Sequence, residues 1–124
     1  MVKKRVFVSF DPDHDKRLKE FVLKQTRLPN SPCEVIDASI KENGSEKDWE
    51  SRVENRIKES DGVIVMVGPF THRTPGVLKE VRLAKKFRKP IAQLIGYDSG
   101  DYEPVPGAGK LRSWGLDTLK QAFG

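Results

Sequence analysis

The strongest constraint on the fold is an apolar run at residues 63–67, which reads VIVMV with no polar residue in it. A strand with one solvent-facing side alternates apolar and polar residues, whereas a strand covered on both faces does not. Three further apolar runs, at residues 6–10, 33–36 and 91–95, are separated by segments with helical spacing. This alternation predicts a single α/β domain of three layers, in which a parallel sheet of four to five strands carries helices on both faces.

Short local signals indicate where the helices between these strands begin. Asp11 and Thr74 each precede a proline, and a cap residue followed by proline in the first turn is typical of a helix start. Ser45 offers a third cap after a polar loop. Apolar residues at helical spacing follow these caps: Leu18, Phe21 and Val22; Trp49, Val53 and Ile57; Val77, Val81 and Ala84. A short helix is predicted at the end of the chain, after a loop at residues 96–109 that either closes over a ligand or links two elements.

Three loops are expected to meet at one edge of the sheet, at residues 9–15, 37–44 and 68–76. Each follows a predicted strand, and the carboxyl ends of parallel strands lie at the same edge. In open α/β sheets, ligands bind at that edge, near the point where the strand order reverses. The topology therefore predicts the place of the functional site.

One acidic residue of the third helix falls among apolar ones. On a helical wheel Glu80 lies inside the apolar arc, opposite the lysines and arginines of the same helix. A buried carboxylate is costly unless it is paired, hydrogen-bonded or neutralised. Two interpretations stay open. Glu80 forms an ion pair with Arg56, Arg73 or Lys85, or it faces a ligand, where it would bind a ribose hydroxyl or stabilise an oxocarbenium-like sugar as an N-glycosidic bond breaks.

A series of short motifs runs through the chain in a fixed order. The motifs are RVFVSF at residues 5–10, Asp37-Ala38-Ser39, the apolar strand that leads into Gly68, THRT at residues 71–74, Val77 with Glu80-Val81, KPI at residues 89–91, and Trp114. Together they resemble the TIR-like family that includes the ThsB proteins of the bacterial Thoeris antiphage system. The chain departs from the pattern at one position, because many members carry an aromatic residue four positions before the glutamate, where this chain has Gly76.

The resemblance implies a flavodoxin-like, TIR-like fold over residues 1–124 and, in active members, cleavage of NAD at the nicotinamide–ribose bond. NAD would be the substrate, with no further cofactor and no metal, and the product would be a cyclic ADP-ribose-type signal that switches on an effector protein in antiphage defence. Glu80 matches the catalytic acid of the family. The residues predicted to bind the substrate beside it are Ser9, Phe10, Asp37, Ser39, Gly68, Thr71 and His72.

The composition is that of a basic chain with few groups for disulfides or metals. Its formal net charge of +5 favours anionic partners such as nucleotides. The lone Cys33 excludes an internal disulfide, and two histidines with one cysteine provide little material for a zinc site. No apolar run approaches the length of about 20 residues needed to cross a bilayer, so we expect a cytoplasmic chain without membrane contact.

Proteins with the same architecture have other functions, and two of them stay open as alternatives to the NAD-cleaving enzyme. A nucleoside deoxyribosyltransferase-like enzyme would use the same bond-breaking chemistry. A non-catalytic flavodoxin-like adaptor would bind a partner protein or a nucleotide. Assembly of the chain into a homo-oligomer is compatible with each of these functions. A phosphorylated receiver domain is disfavoured because Gly68-Pro69-Phe70 follows the third strand and supplies no phosphoacceptor aspartate. Nucleic-acid binding is disfavoured because the basic stretch at residues 79–89 lacks interleaved aromatic residues.

Overall fold

The computed structural model describes residues 3–40, 46–97 and 100–124. Five parallel strands form one sheet in the order β2-β1-β3-β4-β5. The strands are β1 (Lys4–Ser9), β2 (Cys33–Ala38), β3 (Gly62–Val67), β4 (Ile91–Ile95) and β5 (Leu111–Ser113). The helices are α1 (Lys16–Thr26), α2 (Glu46–Glu59), α3 (Pro75–Lys86) and α4 (Leu116–Phe123). The predicted α/β fold with a parallel sheet of four to five strands is confirmed.

Two apolar layers enclose the sheet, one on each face. All six residues of β3 are buried, and they alternate between the layers, with Ile64 and Met66 on one face and Val63, Val65 and Val67 on the other. Helices α1 and α4 pack on the first face, while α2 and α3 cover the second. The apolar run of β3 is thus explained, because both of its faces are removed from water.

The start of α1 differs from the prediction. Asp11 does not cap this helix, which begins at Lys16. Its carboxylate instead accepts hydrogen bonds from the backbone N–H of Asp13 at 3.0 Å and from Nδ1 of His14 at 2.7 Å. Its carbonyl oxygen also accepts a bond from the N–H of Asp15 at 2.9 Å, which closes a turn before the helix. An aspartate side chain accepts backbone N–H groups in turns as well as at helix caps. The Asp-Pro motif is therefore compatible with both a turn and a helix cap.

The start of α3 agrees with the prediction in position only. Thr74 precedes Pro75 at the first helical position, as predicted, but its hydroxyl donates to the carbonyl oxygen of Phe70 at 2.8 Å instead of accepting a bond from the first turn. A 3₁₀ turn at Thr71–Arg73 leads into this helix. The helix ends at Lys86. The predicted cap at Ser45 and the loop around it, residues 41–45, lie outside the described residues.

The edge strand β5 was not predicted, and the loop before it explains its position. The side chain of Gln93 is 1% exposed; it accepts the N–H of Val105 at 2.5 Å and donates to the carbonyl oxygen of Gly109 at 2.8 Å. Val105 and Ala108 are buried in the same layer as α2 and α3. These contacts anchor the described part of the loop to β4. The loop thus connects β4 to β5 along the edge of the sheet.

Within residues 3–40, 46–97 and 100–124, no helix is long and apolar enough to span a membrane. The same residues contain no group of three or more His, Cys, Asp or Glu side chains that could hold a metal ion.

Candidate functional site

The Glu80 side chain lies at the carboxyl edge of the sheet and is fully buried, with 0% of its surface exposed. It belongs to the stripe of α3 that packs on the sheet together with Val77, Val81 and Ala84. The helical wheel therefore predicted its orientation correctly. Because α3 packs against β3 and β1, the carboxyl group of Glu80 comes close to the end of β1.

Two serine hydroxyls bind one oxygen of this carboxyl group. Ser9, the last residue of β1, donates from Oγ to Oε1 of Glu80 at 2.6 Å. Ser39, directly after β2, donates from Oγ to the same oxygen at 2.5 Å and accepts the N–H of Phe10 at 3.1 Å. The second oxygen, Oε2, is buried and has no hydrogen-bond partner among the described residues. The partners of Glu80 are thus hydroxyl groups from two strand ends, not the basic side chains of the ion-pair interpretation.

Burial raises the pKa of Glu80 from 4.5 to about 8. The hydrogen bonds from Ser39 and Ser9 and the positive charge of Arg52 act in the opposite direction, while the negative charge of Asp37 raises the pKa further. At pH 7 the carboxyl group is therefore mostly protonated.

This raised pKa predicts how stability depends on pH. The folded chain binds the Glu80 proton more tightly than the unfolded chain, so the contribution of this group is full below pH 4.5 and is lost as pH rises toward about 8. We expect a loss on the order of a few kcal/mol in the free energy of unfolding over this range. Urea unfolding of the wild type and of Glu80→Gln at several pH values measures it. Because Gln does not titrate, the variant should lack this part of the decline, and parallel curves for the two proteins would contradict the prediction.

A cleft of about 250 Å³ opens beside Glu80. Its lining residues are Phe10, Pro12, Asp13, Ser39, Ile40, Trp49, Thr74, Pro75, Gly76, Val77 and Glu80. Trp49, predicted as a core residue, is 4% exposed and also forms a wall of this cleft. A methyl group added at Gly76 would lie 3.5 Å from Cζ2 of Trp49, so the indole ring packs against α3 at Gly76.

Asp37 lies behind the cleft and fixes two arginines of α2. Nη2 of Arg52 lies 2.8 Å from both carboxylate oxygens of Asp37, and Nε of Arg56 lies 3.4 Å from one of them. Nη1 of Arg52 is buried without a hydrogen-bond partner among the described residues. The sequence analysis missed Arg52; its position one turn after Trp49 was the available signal, since residues three apart share a helix face.

Three of the eight predicted site residues line this cleft, a fourth binds one of them, and Asp37 stands next to it. Ser9 binds Glu80 without lining the cleft, whereas Phe10, Ser39 and Glu80 line it.

The other three predicted residues lie elsewhere at the same edge. Gly68 donates its N–H to Oγ1 of Thr71 at 2.8 Å, and both residues are buried. Nε2 of His72 lies 3.3 Å from Oε2 of Glu103. The substrate-binding role of all these residues stays a prediction.

Comparison with known proteins decides the family. The family model described as Thoeris protein ThsB, TIR-like domain, matches residues 7–96. The chain belongs to this ThsB TIR-like family. The match spans Ser9, Ser39 and Glu80, so the geometry around the buried carboxyl group lies within the family's own domain. No curated protein matches the chain.

A solved structure supports the fold of this ThsB-type domain. The chain is similar to the TIR domains in the activated Roq1 resistosome that directly recognizes the pathogen effector XopQ, with 17% sequence identity and a TM-score of 0.50. The alignment covers 79% of this chain and 60% of that chain. This chain thus spans less than two thirds of that relative's length, and the likeness concerns the TIR fold alone.

Proposed function

We propose that this ThsB-type TIR-like domain is a signalling enzyme that cleaves the nicotinamide–ribose bond of NAD. The observation that carries the proposal is the Glu80 carboxyl group, which lies at the floor of a cleft at the strand ends with Oε2 unpartnered. A carboxyl group held by hydroxyls, and not neutralised by a basic side chain, can oppose a positive charge that develops only during the reaction.

In the proposed reaction, one positive charge develops on the ribose opposite Glu80. As the C1′–N bond breaks, its electron pair stays on the nicotinamide nitrogen and the ribose gains oxocarbenium character. Opening of the cleft to water removes the burial that raises the pKa of Glu80 and releases its proton to solvent. The carboxylate then stabilises the charge on the ribose, while Ser9 and Ser39 hold Oε1 and leave Oε2 toward the sugar. An oxygen or nitrogen nucleophile, from water or from the remaining ADP-ribose, then bonds to C1′ and loses its proton. Because Glu80 is fully covered, the cleft must open before the substrate reaches it.

Membership of the ThsB TIR-like family supports a proposal for the product and for its role in the cell. We infer that the product is a cyclic ADP-ribose-type molecule that acts on a separate effector protein in antiphage defence, in the cytoplasm. NAD serves as the substrate and no further cofactor is involved. Self-association of the domain is the form of control that we expect, since a closed cleft needs a partner surface or ligand to shift it toward an open state.

A second candidate, a non-catalytic nucleotide-binding or protein-binding adaptor, is favoured by one observation. Glu80 has no exposed surface, and the Trp49 ring packs against Gly76 at the entrance of the cleft. A domain that only binds a ligand or a partner would not need to expose this carboxyl group.

The two candidates differ in one assay. The purified protein is incubated with NAD at high protein concentration, with and without a crowding agent, and nicotinamide and ADP-ribose-type products are separated by chromatography. The enzyme releases nicotinamide and an ADP-ribose-type product in equal amounts. NAD that binds to the protein and is recovered intact under every condition would overturn the catalytic proposal in favour of the adaptor.

A further inference from the structure

The Glu80 cleft continues into a larger cavity. This cavity has a volume of about 500 Å³ and shares five lining residues with the cleft, namely Phe10, Pro12, Asp13, Ser39 and Ile40. It adds Lys16, Lys19 and Glu20 from the first turns of α1. A cleft of 250 Å³ is smaller than ordinary pockets for drug-sized ligands, which start at about 300 Å³, so a dinucleotide bound at Glu80 must extend into a neighbouring space.

A second cavity also adjoins the cleft, and it is the other space into which a dinucleotide bound at Glu80 could extend. It has a volume of about 380 Å³ and shares only Asp13, Thr74 and Pro75 with the cleft. Its other lining residues are Asp11, His14, Phe70 and Arg73. The guanidinium of Arg73 stacks on the ring of Phe70 at 4.9 Å, and Asp11 and Asp13 line the same space. Both cavities are lined by two acidic residues, but the α1 cavity has two lysines where this one has a single arginine and His14, whose Nδ1 binds Asp11.

The α1 cavity has the better electrostatic environment. Lys16 and Lys19 lie three residues apart and so project from the same side of the helix. Asp15 at the helix start makes no capping bond, because its carboxylate accepts a hydrogen bond from the hydroxyl of Tyr97. The first turn of α1 also contains no acidic residue. The positive end of the helix dipole and both lysines thus act on the cavity, against the carboxylates of Asp13 and Glu20.

We propose that the cavity lined by Lys16 and Lys19 binds the phosphate groups of the dinucleotide. The inference rests on the proposed function and extends it, since the nicotinamide ribose lies at Glu80 and the diphosphate lies along α1. The buried and unpartnered Oε2 of Glu80 marks the reacting end of this continuous groove. The two lysines contribute binding and orientation and do not contact the bond that breaks.

The test measures ADP-ribose binding by calorimetry, because ADP-ribose carries the diphosphate and is not cleaved. In the variant Lys16→Gln/Lys19→Gln we expect affinity for ADP-ribose to fall about tenfold or more and to become less sensitive to salt. Adenosine, which has no phosphate, should bind both proteins equally. Lys24→Gln is the matched control, since Lys24 is an exposed lysine in the last turn of the same helix. For NAD cleavage, the double variant should raise KM with kcat nearly unchanged.

The outcomes separate this inference from the proposed function. The subsite is overturned if the double variant binds ADP-ribose as tightly as the wild type, if Arg73→Gln loses affinity in its place, or if the wild type does not bind ADP-ribose. If ADP-ribose binding depends on the two lysines but no nicotinamide is released, the subsite stands and the cleavage proposal falls. If nicotinamide is released with the same KM in the double variant, the subsite falls and the cleavage proposal stands.

Discussion

Replacing Glu80 with glutamine is expected to lower kcat for nicotinamide release from NAD by about 10³-fold. Glutamine has nearly the same shape, and its amide oxygen can accept the hydroxyls of Ser9 and Ser39 as Oε1 does. It cannot carry the negative charge that opposes the developing oxocarbenium ion. The loss should therefore appear in kcat, with KM changed much less, because the charge interaction exists only in the transition state.

The control for this experiment removes an exposed carboxylate nearby. Glu50 lies on α2, its side chain is 51% exposed and it pairs with Lys79 at 3.5 Å. Glu50→Gln makes the same replacement of a carboxyl group by an amide and should leave kcat within about twofold of the wild type. Circular dichroism of both variants checks that the fold is retained. Equal kcat values for Glu80→Gln and the wild type would remove Glu80 from the mechanism.

A methyl group at Gly68 is expected to produce the largest loss of stability. The added Cβ of Gly68→Ala would lie 2.3 Å from Oδ2, 2.6 Å from Oδ1 and 2.7 Å from Cγ of Asp15, all well inside van der Waals contact. Asp15 cannot move away cheaply, because it is 1% exposed and accepts a hydrogen bond from the Tyr97 hydroxyl. We expect the free energy of unfolding to fall by about 2–4 kcal/mol.

Thermal unfolding measures this loss, with Gly76→Ala as the matched control. A methyl group at Gly76 meets Trp49 at 3.5 Å, which is ordinary contact, and alanine favours a helix over glycine by up to about 1 kcal/mol. Gly76→Ala should thus be neutral or stabilising while Gly68→Ala lowers the Tm by about 10 °C. An unchanged Tm for Gly68→Ala would mean that Asp15 does not fill the space beside Gly68, and it would leave that glycine available for the ligand role predicted from the sequence.

Local periodicity predicted the orientation of Glu80 but not its partners. The apolar residues within one helical turn of Glu80 indicate which face of the helix is buried, and Glu80 lies on that face. The hydroxyls that bind it lie 71 and 41 residues away in the sequence, at the ends of two strands. Such contacts depend on strand order and register, and these are properties of the assembled sheet.

The errors of the sequence analysis have similar causes. Asp11 before proline carries the pattern of a helix cap, yet its carboxylate closes a turn with Asp13 and His14. Strand β5 has only three residues and pairs with β4 because the side chain of Gln93 anchors the loop before it. Arg52 pairs with Asp37 across two elements, a contact that its position one turn after Trp49 does not specify. In each case the local sequence is compatible with two structures, and a contact made in the folded chain selects one of them.

The central claim is that a buried carboxyl group of Glu80 is the ligand-facing acid of the cleft, and ¹³C NMR of that group tests it most directly. The side-chain carboxyl resonance, assigned by its loss in Glu80→Gln, is followed from about pH 3 to about pH 10 with and without NAD. The account predicts titration near pH 8 in the free protein, as burial raises the pKa to about 8, and a change in that resonance when NAD is added. A titration near the ordinary value of 4.5, or a resonance that NAD leaves unchanged, would contradict it.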